Sequence, residues 1–217
     1  MSVVTLVRHG QANTGARDEE SYDRLSELGR IQAKLTGEYL AATDHGVRRV
    51  IAGTLNRQRD TGAEIATALG LAITQDDRLN EIDYFSLEAS MAEHVPESPA
   101  NREEFLLHFP QVMQAWQDGV ISCERETFDD YEARVMSVLT EAEEADGTLL
   151  VTSGGIVGMM MKLVLDLSVD AFSHALLQVH NASLHQYQIE AGGRRLVTFN
   201  STPQFATPDL AHARTFI

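Results

Sequence analysis

A run from Val3 to Val7, apolar but for Thr5, breaks off into Arg8-His9-Gly10. Apolar runs of this length read as strands buried on both faces, and the glycine lets the backbone turn out of the sheet. The polar stretch Gln11 to Tyr22 is expected as a loop. Ser26 stands where an N-cap belongs, before a helix whose Leu28, Ile31, Leu35 and Tyr39 share one face. Val50 to Ala52 predicts a second short strand. Gly53-Thr54 then opens a helix with Arg57 in its first turn, Ile65, Ala66 and Leu69 toward the core, and Gly70 at its end. A weak strand near Ala72 to Thr74 leads into Leu79-Asn80-Glu81-Ile82-Asp83.

From Tyr84 to about Asp130 the pattern changes. Pro96, Pro99 and Pro110 break it into short pieces, while Phe105, Phe109, Val112 and Trp116 keep the spacing of an amphipathic helix that Pro110 either kinks or restarts. The segment is expected as a helical cap inserted between sheet elements. Tyr131, Val135, Val138 and Ala142 mark a helix that follows Thr127 and stops at Gly147. Leu149 to Thr152 is a third buried strand, and Ser153-Gly154-Gly155 a tight turn into a helix bearing Ile156, Met160, Leu163 and Leu167. Leu184 to Ile189 alternates as a strand, Gly192-Gly193 turns the chain, and Leu196 to Phe199 returns beside it. The tail after Asn200 has no periodicity and is not assigned. Strands alternating with helices make the chain α/β.

The composition narrows the classes. At 217 residues the chain suits one domain, 1–217, with a sizeable core. A formal net charge of −15, from 32 acidic against 17 basic residues, repels nucleic acid and anionic lipid, so any anion site must be local. One cysteine, Cys123, cannot close an internal disulfide, and no charged segment precedes an apolar one near Met1. The expectation is a cytoplasmic protein. The most apolar stretch, Leu149 to Leu167, is interrupted by Gly154, Gly155 and Lys162 and does not read as a membrane span.

Chemistry is expected where strands of an α/β sheet hand over to helices, because ligands collect outside the carboxyl ends of the strands. Arg8 and His9 stand at the first such junction, Arg57 at the second and Ser153-Gly154-Gly155 at the third. Arginine presents a planar fork to phosphate oxygens, and neutral imidazole is a nucleophile or base near neutral pH. A cation in a first helical turn opposes the helix dipole, which points Arg57 toward an anionic partner.

That arrangement resembles the histidine phosphatase superfamily, the branch that includes cofactor-dependent phosphoglycerate mutase. Leu6-Val7-Arg8-His9-Gly10-Gln11 is similar to the family's leading motif and Leu25 to Ala33 to the helix after it. Gly53 to Thr61 is similar to the second arginine motif, with Gly53 where serine is usual. Leu79-Asn80-Glu81 resembles the acid-donor motif, and Glu126-Thr127 with Arg134 the lead-in to the late helix. The resemblance implies a three-layer sandwich with a mostly parallel central sheet flanked by helices, and a helical cap insertion at about 84–130. It also implies that His9 attacks phosphorus and becomes phosphohistidine, that Arg8 and Arg57 clamp the phosphoryl oxygens, and that Glu81 protonates the leaving alcohol. Positioned positive charge supplies much of phosphoryl transfer, so the expectation is no metal and no cofactor.

One position departs from the pattern. The family's late motif reads Ser-His-Gly-Gly, and here the register gives Thr152-Ser153-Gly154-Gly155. Ser153 is expected to offer one hydrogen bond to the phosphoryl group in place of the missing imidazolium, with the amides of Gly154 and Gly155 offsetting part of the loss. His180, just before Asn181, is a candidate to fill the gap, against the ordinary role of a histidine satisfied at a strand end. The leading reading is a phosphatase acting on a small phosphomonoester. A mutase is the nearest rival, but the stretch from Tyr84 to Asp130 holds ten acidic residues and two arginines, Arg102 and Arg125, which disfavours a bisphosphate. A phospho-ligand or protein-binding module that has lost catalysis would need neither nucleophile nor acid. A serine hydrolase using Ser153 would want glycine where Val151 stands. Neither the particular phosphoester nor the oligomeric state is legible.

Overall fold

The computed structural model describes residues 2–13, 19–43, 45–94 and 99–216. In chain order the elements are β1 (Ser2–Arg8), α1 (Glu19–Tyr22), α2 (Glu27–Ala42), β2 (Arg49–Ala52), α3 (Asn56–Leu69), β3 (Ile73–Gln75), α4 (Tyr84–Ala92), α5 (Arg102–Gln117), α6 (Phe128–Glu143), β4 (Thr148–Thr152), α7 (Gly154–Leu165), α8 (Val169–Leu176), β5 (Leu184–Glu190) and β6 (Gly193–Ser201). The six strands form one sheet in the order β3-β2-β4-β1-β5-β6. The first four are parallel to one another, β5 runs antiparallel to β1, and β6 pairs with β5 as a hairpin.

Alternation along the central strands builds a core on each face. Val4, Leu6 and Leu150 pack with α6 and α7, whereas Val7, Leu149, Val151 and Val50 pack with Leu40 of α2 and Ile65 of α3. The result is the mostly parallel, three-layer α/β sandwich expected. Register brings Val7 opposite Val151 and Ala52 opposite Val151 as well, so the carboxyl ends of β1, β4 and β2 lie side by side.

Several local expectations change. Within Gln11 to Tyr22, residues 14–18 lie outside the described residues, and Glu19–Tyr22 is a short helix rather than loop. Ser26 caps α2 as expected, accepting from the Gly29 amide at 3.0 Å. The buried face of α2, however, is Gly29, Gln32, Ala33, Thr36, Gly37 and Leu40, and Ile31 is 51% exposed. Small residues win that face because α2 lies close against α3: a β-carbon on Gly37 would stand 2.9 Å from Ala68 Cβ. Pro110 sits inside a continuous α5, and the helix α8 has no counterpart in the sequence reading. The tail after β6 forms two short 3-10 helices, Pro203–Phe205 and Pro208–Ala213. Among the described residues no helix is long and apolar enough to cross a membrane.

Candidate active site

The adjacent ends of β1, β2 and β4 form the floor of a cavity of 210 Å³ that Arg8, His9, Arg57, Glu81 and Gly154 all line. His9 follows β1 directly, and its backbone N–H donates to Thr152 O of β4 at 2.8 Å. Its Nδ1 lies 2.7 Å from Gly10 O. A carbonyl only accepts, so Nδ1 carries the proton and Nε2 keeps its lone pair. Burial, then the Arg57 and Arg8 guanidinium groups, hold the His9 pKa well below its ordinary 6.5. The imidazole is therefore neutral, and the two cations beside it help to keep it so.

The two arginines are anchored differently. Arg8 Nη1 donates to Val179 O, while its buried Nε has no hydrogen-bond partner among the described residues. Burial pulls the Arg8 pKa down, yet a guanidinium keeps its charge in a folded protein. Arg57 Nη1 pairs with Asp23 Oδ1 at 3.0 Å, and Tyr22 places its ring under the same guanidinium, 5.0 Å from Cζ to centroid. Asp23 also accepts the Asn56 N–H at 2.8 Å and the Arg57 N–H at 3.1 Å. The N-cap of α3 is Leu55, which has no side chain to accept these amides, so an acceptor from elsewhere in the chain is required. Sequence reasoning missed Asp23; an apolar N-cap just before Arg57 was the available signal.

Glu81 arrives on a loop that β3 and a 3-10 turn, Asp77–Leu79, swing back over the sheet. Three successive carbonyls of that loop are bound. Arg134 Nη1 takes Arg78 O at 2.7 Å and Asn80 O at 3.0 Å, and Leu79 O accepts from Thr152 Oγ1 at 2.7 Å and Gln58 Nε2 at 2.9 Å. Arg134 is itself held by Glu126 through two bonds of 2.6 Å. The Glu81 carboxylate accepts from Gly155 N and Ile82 N, both at 3.1 Å. Gly155 must be glycine for that approach, since a β-carbon there would lie 2.1 Å from Glu81 Oε1.

Ser153 is not on the cavity. It is fully buried, and its Oγ accepts from Gln58 Nε2 at 2.8 Å. The direct hydrogen bond to a phosphoryl group expected of Ser153 is thus replaced by an internal one, and the group beside its Oγ is an amide rather than the base that a serine nucleophile needs. Gln58 occupies the space. Its Oε1 lies 1.9 Å from where a β-carbon on Gly53 would stand, so the glycine found in place of serine is what admits the amide. Gly53, Gln58 and Ser153 form one packing unit. Nor does His180 fill the gap: its ring meets Phe216 edge-on at 5.4 Å and lies outside the cavity lining.

Residues 4–202 match the histidine phosphatase superfamily, branch 1. The chain is 30% identical over 190 residues to a probable phosphoglycerate mutase, GpmB, of Salmonella arizonae, covering 85% of this chain and 83% of that protein. It resembles the native structure of a mycobacterial glucosyl-3-phosphoglycerate phosphatase with a TM-score of 0.69 and 25% identity, over 93% of this chain and 99% of that one. A phosphoserine phosphatase from Entamoeba histolytica, solved with 3-phosphoglyceric acid, shares the fold with a TM-score of 0.69 at 16% identity, over 94% and 99% of the two chains. A strand-end histidine between two arginines, the topology around it and these likenesses agree: the chain belongs to the histidine phosphatase superfamily.

Proposed function

We propose that the protein is a phosphatase that hydrolyses a small phosphomonoester through a phosphohistidine at His9. The observation that carries the reading is a neutral His9 whose Nε2 is unprotonated beside two guanidinium groups. Arg8 and Arg57 hold the phosphoryl oxygens, and Arg8 Nε gains there the partner it otherwise lacks. The Nε2 lone pair forms the N–P bond as the ester P–O bond breaks, and Glu81 gives its proton to the departing alcohol oxygen. Water then loses a proton to Glu81 and attacks phosphorus. The N–P bond breaks, releasing phosphate and returning both His9 and Glu81 to their starting states. The amides at the start of α7 near Gly154 add dipolar support for the anion. The helices α4 and α5 act as the cap that selects the alcohol.

The reading is tested by phosphate release from 4-nitrophenyl phosphate with and without a chelator, and by trapping the enzyme during turnover. Wild type should carry an acid-labile, alkali-stable phosphate and keep its activity with chelator, since the arginines do the work of a metal. His9→Ala should fold, carry no phosphate and release none. Wild-type turnover in His9→Ala, or loss of activity on chelation restored by a divalent ion, refutes the mechanism.

A further inference from the structure

Away from the phosphoryl end, the cavity wall is built by α4, α5 and the end of α8. Tyr84, Phe85, Phe105 and Phe109 line it together with Leu176 and Leu177. Three of the rings brace one another: Tyr84 with Phe105 at 5.7 Å, Tyr84 with Phe109 at 5.4 Å, and Phe105 with Phe109 at 5.8 Å between centroids. Phe85 stands at the mouth and is 58% exposed. A large aromatic left in water beside a cavity is a surface that a ligand would cover.

The polar groups of this wall are already engaged. The Tyr84 hydroxyl donates to Glu88 Oε2 at 2.9 Å, and His108 Nε2 lies 3.0 Å from the same oxygen. Asp83 caps α4 by accepting the Ser86 N–H at 3.1 Å, and its second oxygen pairs with Arg125 Nε at 3.3 Å. A leaving group carrying hydroxyls or a second anion would gain little from this wall, where Tyr84 and Asp83 are engaged and Arg125 is paired with Asp83 through Nε. A carboxylate or second phosphate would also face Asp83, whose partner Arg125 is already paired with it. An apolar group loses nothing and covers the rings.

We infer that the substrate is the phosphomonoester of an apolar alcohol whose carbon skeleton rests on Phe85 and Phe105. The inference rests on the phosphatase reading of the same site and names its substrate class. The alcohol oxygen lies at the Glu81 end, and the carbon skeleton points to the mouth.

The test compares alkyl esters of similar intrinsic reactivity: 2-phenylethyl phosphate against glycerol 3-phosphate, phosphoserine and 3-phosphoglycerate. The aromatic ester should lead in kcat/KM by about a hundredfold, mainly through KM. Parity, or a lead for any polar ester, overturns the substrate class while leaving the phosphatase reading intact. No turnover of any ester, 4-nitrophenyl phosphate included, overturns the phosphatase reading instead. Binding of 3-phenylpropylphosphonate against 3,4-dihydroxybutylphosphonate by calorimetry then judges the class without turnover, with the aromatic phosphonate expected to bind more tightly and equal affinities overturning the inference. Phe85→Ala and Phe105→Ala should each shrink the ratio of phenylethyl to glycerol ester by about tenfold. Phe85 is exposed, so its variant reports on recognition rather than on folding. An unchanged ratio in both variants removes the rings from substrate recognition and refutes the proposal.

Discussion

Acid should destabilise this protein through two histidines before its carboxylates titrate. His185 is fully buried, its Nδ1 accepts the Asn200 N–H at 3.1 Å, and its Nε2 lies 2.9 Å from Ser183 Oγ. Burial, with the Arg8 charge behind it, lowers its pKa from 6.5 to about 3. His9 is held well below 6.5 by burial, Arg57 and Arg8. The unfolded chain binds these two protons near 6.5 and the folded chain refuses them, so stability is greatest above that pH and falls as acid is added, down toward the folded values. A proton bound by one state alone shifts the balance by about 1.4 kcal/mol per pH unit. From about pH 7 to about pH 5 His185 therefore removes about 2 kcal/mol, and His9 adds a loss of the same sign, out of a typical total of roughly 5 to 15 kcal/mol. Asp76 and Asp130, held low by Arg78 and Thr127, act only further down, near the ordinary carboxylate value of 3.8. The assay is urea unfolding followed by the fluorescence of Trp116 at several pH values between about 7 and 5, in wild type and His185→Gln. The variant starts less stable but should lose the share of the pH slope that His185 contributes, about 2 kcal/mol between about pH 7 and about pH 5. An equal slope in the two proteins, or a wild-type slope below about 1 kcal/mol per pH unit, refutes the reasoning.

Three further outcomes follow from the site. Arg57→Lys should lower kcat/KM by about a hundredfold, because a point charge cannot reproduce both the Asp23 pairing at 3.0 Å and a forked grip on phosphate; an unchanged rate would remove Arg57 from the clamp. Gly155→Ala should push the Glu81 carboxylate away and slow alkyl esters more than 4-nitrophenyl phosphate, whose good leaving group needs less protonation, and equal losses on both substrates would count against Glu81 as the acid. Ser153→His alone should lower stability by about 1 to 3 kcal/mol by crowding Gln58, and Gln58→Ala added to it should recover part of that loss in thermal unfolding; if the double variant is no more stable than Ser153→His, the packing unit is not the reason.

The sheet was legible because its strands announce themselves. Leu149 to Val151 is apolar on both faces, and Leu184 to Ile189 alternates beside an unambiguous glycine turn. Gly70 is left-handed at φ 65°, as its place at the end of α3 demands. The face of α2 was read only in part: Leu28, Leu35 and Tyr39 do pack inward, but periodicity weighs a residue by its hydrophobicity, and this helix also buries glycine and threonine to approach its neighbour. At the site, the strand-end positions of Arg8, His9 and Arg57 follow from pattern alone. Asp23 and Gln58 do not, since each acts on residues more than thirty positions away, through contacts that only the folded chain creates. Ser153 shows the limit most clearly: a motif gives a residue's register, but not whether its side chain faces the cavity or another side chain.

The binding of three consecutive carbonyls in the Glu81 loop has a consequence for how this protein can change. Arg78 O, Leu79 O and Asn80 O are tied to three different elements, so almost any substitution that shifts the loop disturbs α6, α3 and β4 together. Phe85 and Phe105 carry no such ties; one stands in solvent and the other leans on neighbouring rings. Mutational tolerance is therefore divided by location, with the Glu81 loop closed to drift and the aromatic wall open to it. A lineage exploring new esters would rewrite α4 and α5 first, and a directed-evolution library confined to those positions should yield altered specificity while most of its members still fold.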